Sequence, residues 1–111
     1  MSEPMFTTMQ VLDVARAAAG LRYLEFLRLP DLSAGLYVLE AGTADSQTPH
    51  SEDEVYVVMR GHCRFRAGAE EQEIEPGSVL FVPARIEHRF LEIRERLETL
   101  VFFAPAEGSR S

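Results

Sequence analysis

Apolar and polar residues alternate over short stretches along most of this chain, and turn residues interrupt the alternation every six to twelve positions. Period-two alternation is the signature of half-buried strands. Leu21 to Leu29 reads as a strand with Tyr23, Glu25 and Leu27 on one face and Leu24, Phe26 and Arg28 on the other. Pro30-Asp31 is a turn signal, and Gly35 to Glu40 forms the next strand. Val55 to Met59 is a run of strand formers ending at Gly61. With Arg60-Gly61 as a two-residue loop, His62 to Ala67 is expected to return beside it as a hairpin, setting Val58 against Cys63, Tyr56 against Phe65 and Glu54 against Ala67. Glu70 to Glu75 alternates weakly and looks like an exposed edge. After Pro76-Gly77, Ser78 to Val82 is continuously apolar and reads as a buried strand. His88 to Ile93, with His88, Phe90 and Glu92 on one side, and Leu97 to Phe103 complete the series.

The start of the chain is different. Residues 1–5 look like a loose tail, and Met9 to Leu12 like a short strand. Asp13 is placed to N-cap a brief helix over Val14 to Ala19, which Gly20 stops. Residues from Pro105 onward read as a polar tail. Eight or nine short strands with one helical turn predict an all-β sandwich or barrel in a single domain spanning 1–111, its core at about residues 21–104.

Composition narrows the partners. The chain carries 18 acidic and 11 basic residues, a net charge of −7, with no basic cluster. That balance argues against nucleic acid and against an anionic membrane surface. No run approaches the ~18 apolar residues of a membrane span, and the first residues lack the pattern of a signal peptide. The lone Cys63 rules out an internal disulfide and fits a reducing compartment, so the expected location is the cytoplasm.

One stretch carries chemistry. His50, Glu52 and Glu54 are two residues apart, so on an extended chain they share a face at the entry of the Val55–Met59 strand. This is either a metal-ligand pairing or a polar strand entry without chemistry. His88 follows Pro83 by five residues in a second stretch, Gly77 to His88. Taken together, the two stretches resemble the cupin family. Its first motif has glycine, His, His, Glu and glycine at spacings that here fall on Gly42, Thr48, His50, Glu54 and Gly61. Its second has glycine, Pro, glycine, His and Asn, which fall on Gly77, Pro83, Arg85, His88 and Glu92. Thr48, Arg85 and Glu92 depart from the pattern.

The resemblance covers residues 34–104 and implies a jelly-roll barrel, a double-stranded β-helix, with one divalent transition metal (iron, manganese, nickel or zinc) on His50, Glu54 and His88. Gln47 is available to lend a carbonyl oxygen where Thr48 cannot serve, and Asp45 is a more distant option. Two imidazoles and a carboxylate are the ligand set of non-heme iron oxygenases. Tyr56, Val58, Cys63, Phe65 and Phe90 are expected to line the interior, and His62 to be exposed. Tyr56 and Glu52 are the candidates for proton transfer, although Glu52 also reads as a solvated rim charge. Arg85 is either exposed or guides an anionic ligand. The implied function is a small metal-dependent enzyme, a dioxygenase or an isomerase, acting on a small chelating anion; the alternative is a binding module that does not turn its ligand over. Apolar residues on both faces of Val55–Met59 and Leu97–Phe103 predict a homodimer, unless residues 6–29 cover the outer face.

Overall fold

The computed structural model describes residues 3–110. One helix, α1 (Met9–Ala18), precedes eight strands: β1 (Tyr23–Leu29), β2 (Leu32–Leu39), β3 (Asp53–Arg60), β4 (Cys63–Ala67), β5 (Glu70–Ile74), β6 (Val79–Val82), β7 (His88–Leu91) and β8 (Leu97–Ala104). They form two antiparallel sheets, ordered β1-β2-β8-β3-β6 and β5-β4-β7. Their inner faces meet in a jelly-roll barrel, a double-stranded β-helix.

The helix corrects the reading of the first residues. Thr8 is the N-cap, its hydroxyl accepting from Val11 N at 3.1 Å, so Met9 to Leu12 is the first turn of α1 and not a strand. Asp13 lies inside the helix and pairs with Arg16 at 2.8 Å and Arg96 at 2.7 Å. Gly20 follows the C-cap in a left-handed conformation (φ 69°), as the stop signal implied. Of the residues expected as a loose tail, Met1 and Ser2 lie outside the described residues.

The β3–β4 hairpin does not form. β3 pairs with β8 and β6, whereas β4 pairs with β5 and β7. A two-residue type I′ loop needs positive φ at both central residues. Here only Gly61 has it (φ 102°), and Arg60 stays in β3 opposite Glu98. Gly61 is packed so closely that an added Cβ would stand 2.6 Å from the Arg96 carbonyl oxygen, so it serves as the corner where the chain changes sheets. Tyr56 and Phe65 nevertheless face each other, ring centroids 5.7 Å apart, but across the barrel interior and not along a ladder.

Two further strands differ from expectation. A bulge between Glu25 and Leu27 breaks the alternation of β1. β6 is an edge and not a buried strand: Val79 and Phe81 are 67% and 63% exposed. β5 is the exposed edge the sequence implied.

Alternate residues of β3 and β8 point inward and carry the core, including Tyr56, Val58, Leu97, Val101 and Phe103. Outward residues of the large sheet are apolar too. Leu12 and Met9 of α1 cover Leu36, Val38 and Phe26 over the β1–β2 end. The helix does not extend to the outer face of β8, β3 and β6, where Val55 pairs with Phe102 and Phe81, and Val57 with Leu100 and Val79. No helix among the described residues is long and apolar enough to cross a membrane.

Candidate metal centre

His50 lies in the loop three residues before β3, Glu54 is the second residue of β3, and His88 opens β7 in the facing sheet. The fold therefore brings ligands from both sheets to one end of the barrel. One donor atom from each of the three lies within 4.8 Å of the others. Among the described residues this is the group that could hold a metal ion.

Hydrogen bonding at the centre shows what the three residues lack. His88 Nδ1 lies 2.8 Å from the Ile86 carbonyl oxygen, which only accepts, so Nδ1 carries a proton. In the neutral ring Nε2 then presents its lone pair, 3.1 Å from Glu54 Oε1 and 3.2 Å from the Tyr56 hydroxyl, whose proton goes to Gln47. Glu54 is 2% exposed, and neither of its oxygens has a hydrogen-bond donor. A buried carboxylate facing a lone pair is costly unless a cation sits between them. A metal ion or a proton meets that need, so the residues fit a divalent ion bound through imidazole and carboxylate.

The proton is the cation available without metal. Burial pulls the His88 pKa down, but the contact with Glu54, the Ile86 carbonyl and the charges of Glu54 and Asp45 outweigh it, and the net shift is upward from 6.5. A His pKa raised on folding gives stability that is fully present below the unfolded value and is lost as pH rises through the folded one. Metal-free protein is therefore expected to melt at lower temperature at about pH 9 than at about pH 6, and His88→Gln to flatten that slope. A melting temperature that climbs over this interval would show that the pair is not held by a proton.

Gln47 approaches the same space. Its amide nitrogen donates to Asp45 Oδ2 at 2.8 Å, which turns its oxygen toward Tyr56 (3.0 Å) and His50 Nε2 (3.4 Å). Asp45, 4% exposed, is an organiser and not a ligand: Tyr37 OH (2.8 Å) and Phe90 N (2.9 Å) also donate to it. Thr48 is exposed.

The backbone of the second stretch explains two departures from the family pattern. Arg85 and Glu92 both have positive φ, 69° and 53°. Glycine and asparagine, which the pattern carries there, adopt this conformation most readily. In this chain an arginine and a glutamate take the conformation that those residue types favour. The Arg85 side chain is exposed, while its N–H donates to the His50 carbonyl at 2.6 Å and ties the two stretches together.

A cavity of about 130 Å³ opens beside the centre, lined by Tyr23, Tyr37, Gln47, His50, Glu54, Tyr56, Val101, Phe103 and Glu107. Of the expected lining residues only Tyr56 borders it. Val58, Cys63, Phe65 and Phe90 are packed in the core beneath, where burial pushes the Cys63 thiol up to about 11. The sequence reading missed Tyr23, Tyr37, Val101, Phe103 and Glu107. β8 is apolar on both faces, so the sequence left open that Val101 and Phe103 are among its inward residues, and no sequence signal marked Glu107. Gly35 leaves the space that the Tyr23 ring fills.

Glu52 is not a solvated rim charge. It is 1% exposed and outside the cavity, accepting from Ser51 Oγ at 2.6 Å and from Gly108 N and Arg110 N at 2.8 and 2.9 Å. Burial raises its pKa, but these bonds and the nearby His50 lower it further, so it is held ionised. Tyr56 donates to Gln47, and burial together with Glu54 drives its pKa well up. His62 is exposed, 2.7 Å from Glu95.

The cupin-domain family matches residues 35–103. The chain belongs to the cupin family. This cupin is 48% identical to the uncharacterized protein SCO3923 of Streptomyces coelicolor over 97 residues, covering 87% of this chain and 92% of that protein. It resembles the crystal structure of TT1209 from Thermus thermophilus with a TM-score of 0.66 and 28% identity, covering 76% of this chain and 82% of that one. The DMSP lyase DddQ from Ruegeria pomeroyi shares the fold at 20% identity and a TM-score of 0.67, over 79% of this chain and 49% of that one. Three motif positions, His50, Glu54 and His88, lie together at the candidate centre, and Gln47, not the exposed Thr48, is the neighbour that reaches His50.

Proposed function

We propose that this cupin binds one divalent transition metal through His50, Glu54 and His88 and uses it to hold a small chelating anion. The observation that carries the reading is the buried Glu54 carboxylate without a donor, facing His88 Nε2 at 3.1 Å. A divalent ion with one carboxylate and two neutral imidazoles has a net charge of +1 and open positions, and when bound it supplies Lewis-acid or oxygen-activating chemistry. The cavity beside it has room for roughly four waters' volume and is walled by Tyr23, Tyr37, Val101 and Phe103. The Tyr23 hydroxyl is buried and unpartnered, ready to donate to a ligand oxygen. Catecholates, enediolates and α-keto acids have this chemistry: two adjacent oxygens and a small planar body.

Turnover of the dioxygenase type is the catalytic reading we favour, with an isomerase or lyase acting through an enolate as its variant. Tyr56 and Glu52, the proton-transfer candidates, support the variant poorly, because one is a hydrogen-bond donor with a high pKa and the other is engaged outside the cavity. The same observation supports a binding module that holds its ligand unchanged.

Elemental analysis after incubation with iron, manganese, nickel and zinc is expected to show about one ion per chain. Calorimetry with catechol or an α-keto acid is expected to give high-micromolar binding to loaded protein only, with oxygen uptake following in the iron form. Folded protein that stays metal-free sinks the proposal. Equal affinity with and without metal, or binding without turnover, leaves the binding module.

We also propose that the protein is a homodimer joined through the uncovered outer face of β3, β6 and β8. The centre of that face, where Val55, Val57, Val79, Phe81, Leu100 and Phe102 adjoin, is apolar, with the nearby Glu98 paired to Arg60 and Arg96, so two copies can meet there with little like-charge repulsion.

A further inference from the structure

Residues 105–110 do not trail away from the barrel as a polar tail. They fold back over its mouth, with Ala106 2% exposed. Glu107 N donates to Ser33 Oγ at 2.9 Å, and Arg28 donates to the Glu107 carbonyl at 2.8 Å. Gly108 N and Arg110 N both donate to Glu52, one to each carboxylate oxygen. A fully buried carboxylate is stable only when donors are supplied to it. Here two of the three donors come from backbone 56 and 58 residues away, so burial of Glu52 and docking of this segment require each other.

Docking delivers one side chain to the site. The Glu107 carboxylate borders the cavity, with Oε2 3.5 Å from His50 Nδ1. The two histidines are arranged in the same sense, with the Glu107 contact the longer at 3.5 Å against 2.8 Å behind His88. Behind His88 Nδ1 lies the Ile86 carbonyl, and behind His50 Nδ1 lies Glu107. In both, Nε2 is left facing the centre, toward Glu54 for His88 and toward Gln47 for His50. An acceptor behind Nδ1 fixes the ring and makes the ligating nitrogen more basic.

We propose that Glu107 is the positioning residue for His50, and that residues 105–110 are a strap, latched by Glu52, that sets the metal affinity of the centre. This rests on the metal reading above. Glu107 makes no bond to the ion; it acts through His50.

Zinc binding by calorimetry, on the full chain, tests it. Glu107→Ala is expected to weaken zinc by about 10- to 100-fold. Glu107→Gln, which keeps an acceptor but no charge, is expected to recover part of that loss. In zinc-loaded wild type the His50 Nδ1–H proton is expected to be downfield and slow to exchange, and Glu107→Ala to abolish this while the His88 signal stays in place; a merely structural role would not separate the two rings. Glu52→Gln is expected to speed amide exchange at Gly108 and Arg110 and to lower zinc affinity as Glu107→Ala does. Unchanged affinity and an unmoved His50 signal in Glu107→Ala overturn the strap's role and leave the metal reading intact. Wild type that binds no zinc defeats the metal reading, and the role of Glu107 with it.

Discussion

Glu54→Gln is expected to remove metal binding and, at about pH 9, where His88 has lost its proton, to stabilise the metal-free protein. The two effects come from one property of the site. Glu54 is 2% exposed, its oxygens are left without a hydrogen-bond partner, and His88 Nε2 lies 3.1 Å away. On the alkaline side of the His88 titration that arrangement sets a buried charge against a lone pair. An amide of the same shape turns an N–H toward Nε2 and carries no charge. Relief of an unsatisfied buried group is worth about 1–3 kcal/mol, a gain of several degrees in melting temperature for a chain of this size. Zinc affinity is expected to fall by more than the roughly 10–100-fold typical of losing an outer partner of a ligand, because the substitution takes away the centre's only carboxylate ligand. Thermal melts and zinc calorimetry on the same variant check both halves. If Glu54→Gln destabilises the metal-free protein at about pH 9 and still binds zinc tightly, the carboxylate is a structural group and the centre is not a metal site.

Motif spacing located His50, Glu54 and His88, and it did so because a jelly-roll barrel holds those positions at fixed points of two facing sheets. The inward face of β3 followed from His50 and Glu54, but β8 is apolar on both faces, so its inward set was not readable. What local pattern could not show was which strand pairs with which. Glu54, Tyr56 and Val58 point inward in either arrangement, so the inferred hairpin with β4 and the observed change of sheet at Gly61 leave the same trace in the sequence. The apolar run of β6 reads as a buried strand because apolarity does not distinguish a core strand from an exposed apolar edge. The cavity walls differ from expectation for a related reason. Phe65 and Phe90 do point inward, but the ring pairs Tyr56–Phe90 and Phe65–Phe90, at 5.0 and 4.8 Å, fill that part of the barrel and leave the open space on the β1–β2 side. Glu107 and the burial of Glu52 depend on a contact across more than fifty residues, for which the sequence has no period and no motif.

Phe81→Asp is expected to convert the proposed dimer to monomer without unfolding it. Phe81 lies on the edge strand β6, 63% exposed, paired with Val55, whose other neighbour is Phe102. Val79, 67% exposed, repeats the pattern beside Val57 and Leu100. These cross-strand pairs make one continuous apolar face, which α1 leaves open because its contacts are with β1 and β2. In a two-fold dimer each substitution appears twice in the same interface, so one aspartate per chain places two desolvated carboxylates in an apolar contact. Stable interfaces bury about 800 Å² on each partner with their strongest contacts at the centre, and a buried charge without a partner there costs several kcal/mol. The dissociation constant is expected to rise by at least about 100-fold, the equivalent of ~2.7 kcal/mol. In the monomer the same aspartate is solvated, so the melting temperature of dilute protein should change little. Light scattering at tens of micromolar is expected to give twice the chain mass for wild type and the chain mass for Phe81→Asp, with Arg66→Asp on the other sheet as a control that stays dimeric. A wild type that is monomeric at that concentration overturns the dimer. A Phe81→Asp variant that stays dimeric moves the interface away from this face and leaves Val79 and Phe81 unexplained.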